Sequence, residues 1–356
     1  ADTDTNTTSS SFEVPIVHKF ALGLNSSFGV EDLLFNMDVI ATEVENPAII
    51  NDINVSPTGE TDFTGRPYYN CAGGNARDSF TCFGPFDFQL TNSTQSPVGV
   101  TYSMSLSKLW RENDVRFSIG YANTSLEDVT PMTSSVAYSN FTGVATIDRN
   151  NPTVAQSNHV IPERITATLR YQPVTIEGGY RFKASLFINR FQSRSYSYTY
   201  DGEEHGQTPA FTDQSLLYVP TNAADPNVVF DGISPAAFFA ITDAAGCPRG
   251  QYCPRNSIDG AWNTSINLKL AQEFPGFAPD HEAEVYMVIK NLGNLINSKY
   301  GIFREPGFPS MQKVARLSEI DDDGRYVYDR LYSPRGSSIS PYASTYEVKF
   351  GFYYRF

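Results

Sequence analysis

Six cationic side chains, Arg116, Arg164, Arg170, Arg181, Lys183 and Lys269, stand inside stretches whose alternate residues are apolar. Guanidinium and ammonium groups hold carboxylates, phosphates and other anions, so these six are the candidate ligand-binding residues. Four cysteines come as two local pairs, Cys71 with Cys82 and Cys247 with Cys253, each in a stretch rich in Gly, Pro or Asn. Four cysteines allow three connectivities. Local closure is the economical one, and two disulfides clipping long loops in an oxidising compartment are expected. Zinc is the alternative, but neither pair has a histidine nearby or a Cys-x2-Cys spacing. Asp321, Asp322 and Asp323 offer hard oxygen ligands of the kind Ca²⁺ prefers. Their run lacks the Asp-x-Asp-x-Asp-Gly pattern with a distal Glu, and a solvated acidic loop between the last strands is the plainer reading. The histidines, His18, His159, His205 and His281, are scattered, and no His-Glu-x-x-His, Gly-x-Ser-x-Gly or phosphate-cradling glycine loop occurs. No enzymatic constellation is present, and no cofactor other than that Ca²⁺ is expected.

The elements that must position the cations are strands of period two. Val115, Phe117, Ile119 and Tyr121 alternate with Arg116, Ser118 and Gly120, and Ile165, Ala167, Leu169 and Tyr171 with Arg164, Thr166, Thr168 and Arg170. Tyr180, Phe182, Ala184 and Leu186 oppose Arg181, Lys183 and Ser185, and Ile266, Leu268 and Leu270 oppose Asn267 and Lys269. Side chains of a strand alternate between its faces, so each segment has one greasy face and one charged face. A packed soluble core would reject mid-strand Arg and Lys, whereas an outer-membrane barrel turns them into a polar lumen. The pattern predicts an all-β, antiparallel transmembrane β-barrel with about ten strands, near 16–25, 31–42, 99–110, 113–123, 162–172, 179–190, 262–272, 281–291, 325–332 and 344–356.

The connections alternate as well. Short, turn-rich links at 25–30, 111–114, 172–179 and 273–280 separate long ones at about 44–85, 125–161 and 191–261. Short turns at one end and long loops at the other suit the periplasmic and extracellular ends of such a barrel, and free loops of that length are rare in compact soluble domains. Shorter strands are expected inside the loops at Phe86–Leu90, Tyr196–Tyr200 and Leu216–Val219. Tyr196, Tyr198 and Tyr200, Tyr326, Tyr328 and Tyr332, and the strand-end residues Trp110 and Trp262 read as interfacial aromatics. The first cluster also reads as a surface for ligand stacking.

Composition agrees. Aromatics make up 13% of the 356 residues, yet no window approaches the ~18 consecutive apolar residues of a membrane-spanning helix. The net charge of -13 argues against a nucleic-acid partner. Residues 1–12 are polar and read as a flexible segment.

The chain ends on an amphipathic strand. Tyr346, Val348, Phe350, Phe352, Tyr354 and Phe356 form one face, and Glu347, Lys349, Gly351, Tyr353 and Arg355 the other. This strand, stopping on Phe, is similar to the recognition signal for barrel assembly. Val288-Ile-Lys-Asn-Leu-Gly-Asn-Leu-Ile-Asn-Ser-Lys-Tyr-Gly301 resembles an element near the end of TonB-dependent outer-membrane receptors. The blocks Val14 to Leu24, Ser134 to His159, Tyr218-Val-Pro220 and Gln272 to Phe277 are similar to the Oar-like subgroup, whose longer members carry a carboxypeptidase-regulatory-like domain. The resemblance implies a 22-strand barrel with an N-terminal plug and a TonB box, which takes up or exports a ligand across the bacterial outer membrane. Its partners would be outer-membrane lipid, the barrel-assembly machinery, an unknown ligand and, through the plug, TonB. With about ten strands and no plug-like segment, the chain corresponds to the C-terminal half of such a barrel. The alternative is a small plug-less porin-like or surface-binding barrel, in which the first strand would pair with the last.

Overall fold

The computed structural model describes residues 5–28, 32–71, 87–202 and 214–356. Nine long strands, consecutive along the chain and in space, form one antiparallel sheet. They are β1 (Ile16–Ser27), β2 (Leu33–Glu45), β3 (Val98–Trp110), β4 (Val115–Asp128), β5 (Glu163–Tyr171), β6 (Tyr180–Gln192), β7 (Trp262–Pro275), β8 (Glu282–Lys290) and β9 (Glu347–Arg355). Two short strands adjoin them, Ala155–Gln156 beside β4 and Val174–Ile176 beside β6. The shortest of the nine have 9 residues and the longest 14, long enough to cross ~30 Å of hydrocarbon when tilted. No helix among the described residues is long and apolar enough to cross a membrane.

The period-two pattern sets the register. Phe35, Leu106, Ile119, Ala167, Ile188 and Ile266 are successive partners across six strands, and Leu268, Ile289 and Val348 carry the apolar row to β9. On the opposite face Asn36, Ser105, Gly120, Thr166, Asn189 and Ser265 are aligned in the same way. A slip of one residue would exchange the two faces. The apolar face has no covering layer: Leu22 is 75% exposed, Phe350 77% and Phe352 63%.

Two expectations are corrected. Residues 325–332 do not enter the large sheet. Tyr326–Leu331 pairs antiparallel with Met311–Ile320 and parallel with Val228–Phe230, in a separate four-stranded sheet completed by Ser197–Asp201. Tyr326, Val327 and Tyr328 are buried in succession, the signature of a strand covered on both faces rather than one facing two media. The second concerns the alternative of a small barrel in which the first strand pairs with the last, which the described residues do not form. Among the described residues the sheet is open, with β1 and β9 as its edges. Nine antiparallel strands give two edges that run in the same direction, so β1 and β9 could meet only as a parallel pair.

Because the strands form a meander, the links β1–β2, β3–β4, β5–β6 and β7–β8 share one end of the sheet, and the four long connections share the other. The buried core of the molecule lies in those long connections, not in the sheet. Tyr198, Tyr200, Leu217, Val219, Phe238, Val314, Leu317, Tyr326 and Tyr328 form its main cluster. The helix Pro235–Ala244 covers it, started by Pro235 at its first position and by the Ser234 hydroxyl, which accepts from Ala237 N at 3.3 Å. Within the opening segment read as flexible, Asn6–Thr8 pairs parallel with Phe88–Asn92, which in turn pairs with Ala48–Asp52.

The tyrosines expected at an interface or on a stacking surface therefore have another role. Tyr196, Tyr198, Tyr200, Tyr326 and Tyr328 are core side chains, with the Tyr328 ring stacked on Phe238 at 5.6 Å. Their hydroxyls stay satisfied inside, as burial requires: Tyr328 donates to Tyr218 O at 2.9 Å, and the Tyr252 and Tyr326 hydroxyls lie 3.0 Å apart. Burial pushes Tyr198 up to about 12. Tyr332 is less buried and donates to Asp201. Trp110 and Trp262 sit half-exposed on the apolar face at opposite ends of the strands.

Side chains from the first long connection lock the others together. Arg66 is 1% exposed; it donates to the Tyr200 hydroxyl and, at 3.2 Å, to Ser215 Oγ. Asp62 accepts from the Tyr326 hydroxyl, and the Phe63 ring packs edge-on to Tyr218 and Tyr326. Arg66→Met removes the buried charge and keeps most of the volume, and should cost about 3–5 kcal/mol because it breaks a buried polar network on one side. Hydrogen exchange followed by mass spectrometry should show the amides of 196–200 and 311–331 losing protection while β4 to β7 keep theirs. Uniform loss, or none, would contradict a separate loop core.

Candidate functional site

The register places all six candidate cations on the polar face. Arg116 and Arg170 are directly opposed on β4 and β5, and Arg164, Arg181, Lys183 and Lys269 occupy positions of the same parity on β5, β6 and β7. They differ in their partners. Lys183 Nζ lies 2.5 Å from Glu273 Oε1 and 2.8 Å from Glu284 Oε2. Arg181 reaches Asp114 at 3.3 Å and donates to Gln172 O at 2.7 Å. Lys269 sits 3.7 Å from Glu284 and 5.2 Å above the Tyr286 ring. That ring needs Gly351 opposite it, where a Cβ would lie 2.1 Å from Tyr286 Cζ. Arg164 lies over the Phe191 ring at 5.8 Å.

Among the described residues Arg116 and Arg170 have no carboxylate or ring of their own. They line a cleft of about 410 Å³ at the short-turn end, together with Asp32, Leu34, Ser107, Lys108, Leu109, Arg111, Ser118 and Thr168. The carboxylate there, Asp32, is gripped by Arg111 through two hydrogen bonds of 2.6 Å, which holds it below the usual carboxylate range. Sequence reasoning found the cations and missed Asp32, Asp114, Glu273 and Glu284. The signal was there for the last two, since both occupy polar-face positions of a strand.

At the long-connection end, Cys247 and Cys253 form the expected disulfide, with an S–S distance of 2.03 Å. The pairing of Cys71 with Cys82 lies outside the described residues. The Asp321–Asp323 run is not gathered around an ion. It forms the turn between Met311–Ile320 and Tyr326–Leu331 rather than a link between sheet strands. Asp321 accepts from the backbone N of Asp323 (3.1 Å) and of Arg325 (2.9 Å) and from Arg325 Nε (2.8 Å), and Asp323 pairs with Arg325 at 3.2 Å. Among the described residues no group of three His, Cys, Asp or Glu is placed to hold a metal ion. The expected assembly-signal residues Val348, Phe350, Phe352 and Tyr354 line the apolar side of β9, flanked by Tyr346 and Phe356. The Tyr354 hydroxyl accepts from Phe277 N at 3.0 Å and lies 2.9 Å from His281 Nδ1, fastening the last strand to the β7–β8 turn.

Comparison with protein-family models, with curated proteins and with solved structures found no match.

Titration of the long connections should proceed in two steps. Burial holds His159 below its ordinary 6.5, so its contribution is present above that value and is lost as the pH falls below it. The hydrogen bonds to Asp329 from Arg316, to Asp243 from Arg249 and to Asp321 from the Arg325 backbone lower these carboxyls from 3.8. Their contribution is present above 3.8 and declines as the pH falls further. Near-ultraviolet circular dichroism of the tyrosine core should therefore report one loosening step below pH ~6.5 and a second below pH ~4. His159→Gln should abolish the first step alone; if both steps survive it, this assignment is wrong.

Proposed function

We propose that the chain forms an arc of an outer-membrane β-barrel of the TonB-dependent receptor type, in the Oar-like subgroup. The apolar face meets lipid, the polar face lines the lumen, and the packed long connections form an extracellular cap that captures a ligand for transport. One observation carries this reading: an antiparallel sheet nine strands wide exposes a continuous apolar face, while the core that an aqueous protein would place against it lies elsewhere. In water such a face far exceeds the few hundred Å² usual for an exposed patch; in a bilayer it is the solvated side.

The direction of the edges supports a larger barrel over a small self-contained one. Bacterial barrels of this kind are antiparallel throughout and have even strand numbers, and lipid does not tolerate an open edge. Since β1 and β9 run the same way, antiparallel closure takes an odd number of further strands. A ring of identical copies does not supply them, because rotation about the barrel axis preserves strand direction and leaves parallel seams. On this reading β9, with Phe350, Phe352 and Phe356, is the strand offered to the assembly machinery. Energy coupling would reside in a plug domain that contacts TonB.

The faces can be tested by one substitution on each. Leu186→Lys on the apolar side should cost about 2–4 kcal/mol of stability in lipid vesicles, and Asn189→Lys on the polar side about 0–1 kcal/mol. Both are measured by denaturant titration of the vesicle-inserted protein. A chain that stays monomeric without detergent and tolerates Leu186→Lys would sink the membrane reading, and uptake that persists without TonB would sink the coupling to TonB.

A further inference from the structure

The cleft at the short-turn end holds two cations, Arg116 and Arg170, that have no carboxylate partner among the described residues. Lys183, Arg181 and Lys269 each have a carboxylate within 4 Å. Arg116 and Arg170 are register partners on adjacent strands, an arrangement in which like charges repel, and among the described residues no acidic side chain is paired with either. Arg116 and Arg170 line the cleft beside the pair formed by Arg111 and Asp32, and Lys108 borders it as well. A chain of net charge -13 thus concentrates positive charge at one point of the sheet. Three hydroxyls, Ser107, Ser118 and Thr168, line the same cleft and can donate to an anion.

We propose that this cleft binds a small phosphate-bearing anion, bridged between Arg116 and Arg170 with the Ser107, Ser118 and Thr168 hydroxyls around it. Two guanidinium forks on neighbouring strands present paired donors to the oxygens of a phosphoryl group, a geometry that a point-charge ammonium does not offer. The anion removes the repulsion between the two arginines. The volume of about 410 Å³ falls in the range of small-molecule sites, so a phosphate carried on a small organic body fits. Asp32 sets the affinity from the rim: it occupies Arg111 and opposes a second negative charge. The inference stands on the cleft alone and holds whether or not the sheet lies in a membrane.

The test is calorimetric titration of the folded chain with inorganic pyrophosphate at low salt, in a non-ionic detergent or in buffer, whichever keeps it monomeric. One site is expected. Arg116→Gln and Arg170→Gln should each weaken binding about tenfold, the scale of losing one charge-assisted pair, whereas Lys299→Gln, on an exposed residue of the last long connection, should leave it unchanged. Asp32→Asn should tighten binding, and as a change on an exposed turn it supplies a gain of function that misfolding cannot mimic. Near-ultraviolet circular dichroism of the tyrosine core verifies the fold of each variant. No heat at millimolar pyrophosphate, or affinity indifferent to Arg116, Arg170 and Asp32, would overturn the proposal. Citrate binding as tightly as pyrophosphate would overturn the phosphate assignment.

Discussion

The uncovered apolar face of the nine-stranded sheet is the constraint on which the rest of this structure depends. Burial of apolar area is the dominant favourable term in folding, and here the largest apolar surface of the molecule is not buried within the chain. Leu106, Ile119, Ile188 and Ile266 lie in a row with no layer over them among the described residues, and the reverse side carries Arg116, Arg170 and Lys183, which no dry core would accept. Backbone hydrogen bonds hold the strands in register, joined on the polar face by side-chain links such as Asn36 to Ser105 and Lys183 to Glu273. A sheet of this kind needs a second medium on its apolar side, and the alternation along every strand is the record of that need.

The same constraint explains why the core has moved into the loops. Connections gain nothing from an apolar face that their own chain leaves uncovered, so links of this length must either stay loose or build an interior of their own. These build one, with tyrosines as its main material. A phenol supplies a large apolar ring and one polar atom, which suits a core assembled from irregular backbone with many hydrogen-bonding groups to satisfy. Arg66 and Arg255 serve that purpose directly. Arg255 donates to Val129 O at 2.7 Å and to Asp128 O and forms an ion pair with the Asp128 carboxylate at 3.0 Å, joining the third long connection to the end of β4. Buried guanidinium groups are costly unless every partner is in place, so their contribution is to select one arrangement of the connections.

Much of the sheet was legible because period two is a local signal. The strands at 16–25, 99–110, 162–172 and 281–291 needed only their own residues to be recognised, and the six cations were placed by parity alone. The misreadings come from pairing, which is not local. Tyr326–Leu331 resembles a short barrel strand in isolation, and only its neighbours Met311–Ile320 and Val228–Phe230, the latter nearly a hundred residues away in sequence, reveal it as interior. The tyrosine clusters misled for the same reason, since an aromatic at the end of a membrane strand and one in a loop core have the same local sequence. The acidic partners Glu273 and Glu284 were passed over because cations alone were read as ligand contacts, whereas a polar face in a restricted space must balance its charge.

That balance gives the polar face its chemistry. Where Lys183 meets Glu273 and Glu284, or Arg181 meets Asp114, the ion pairs tie β6 to β7, to β8 and to the β3–β4 link and leave little net field. Two acidic residues against one lysine even make that region available to a second cation, Lys269, so the carboxylates and ammonium groups form a chain across β6, β7 and β8. Arg116 and Arg170 interrupt the pattern. Their strands could have carried a carboxylate at Ser118 or Thr168, positions of the right parity two residues away, and carry hydroxyls instead. A sheet that neutralises its charges along most of its width and leaves two guanidinium groups opposed at one end has a directional field, and an anion approaching the polar face is drawn to that end.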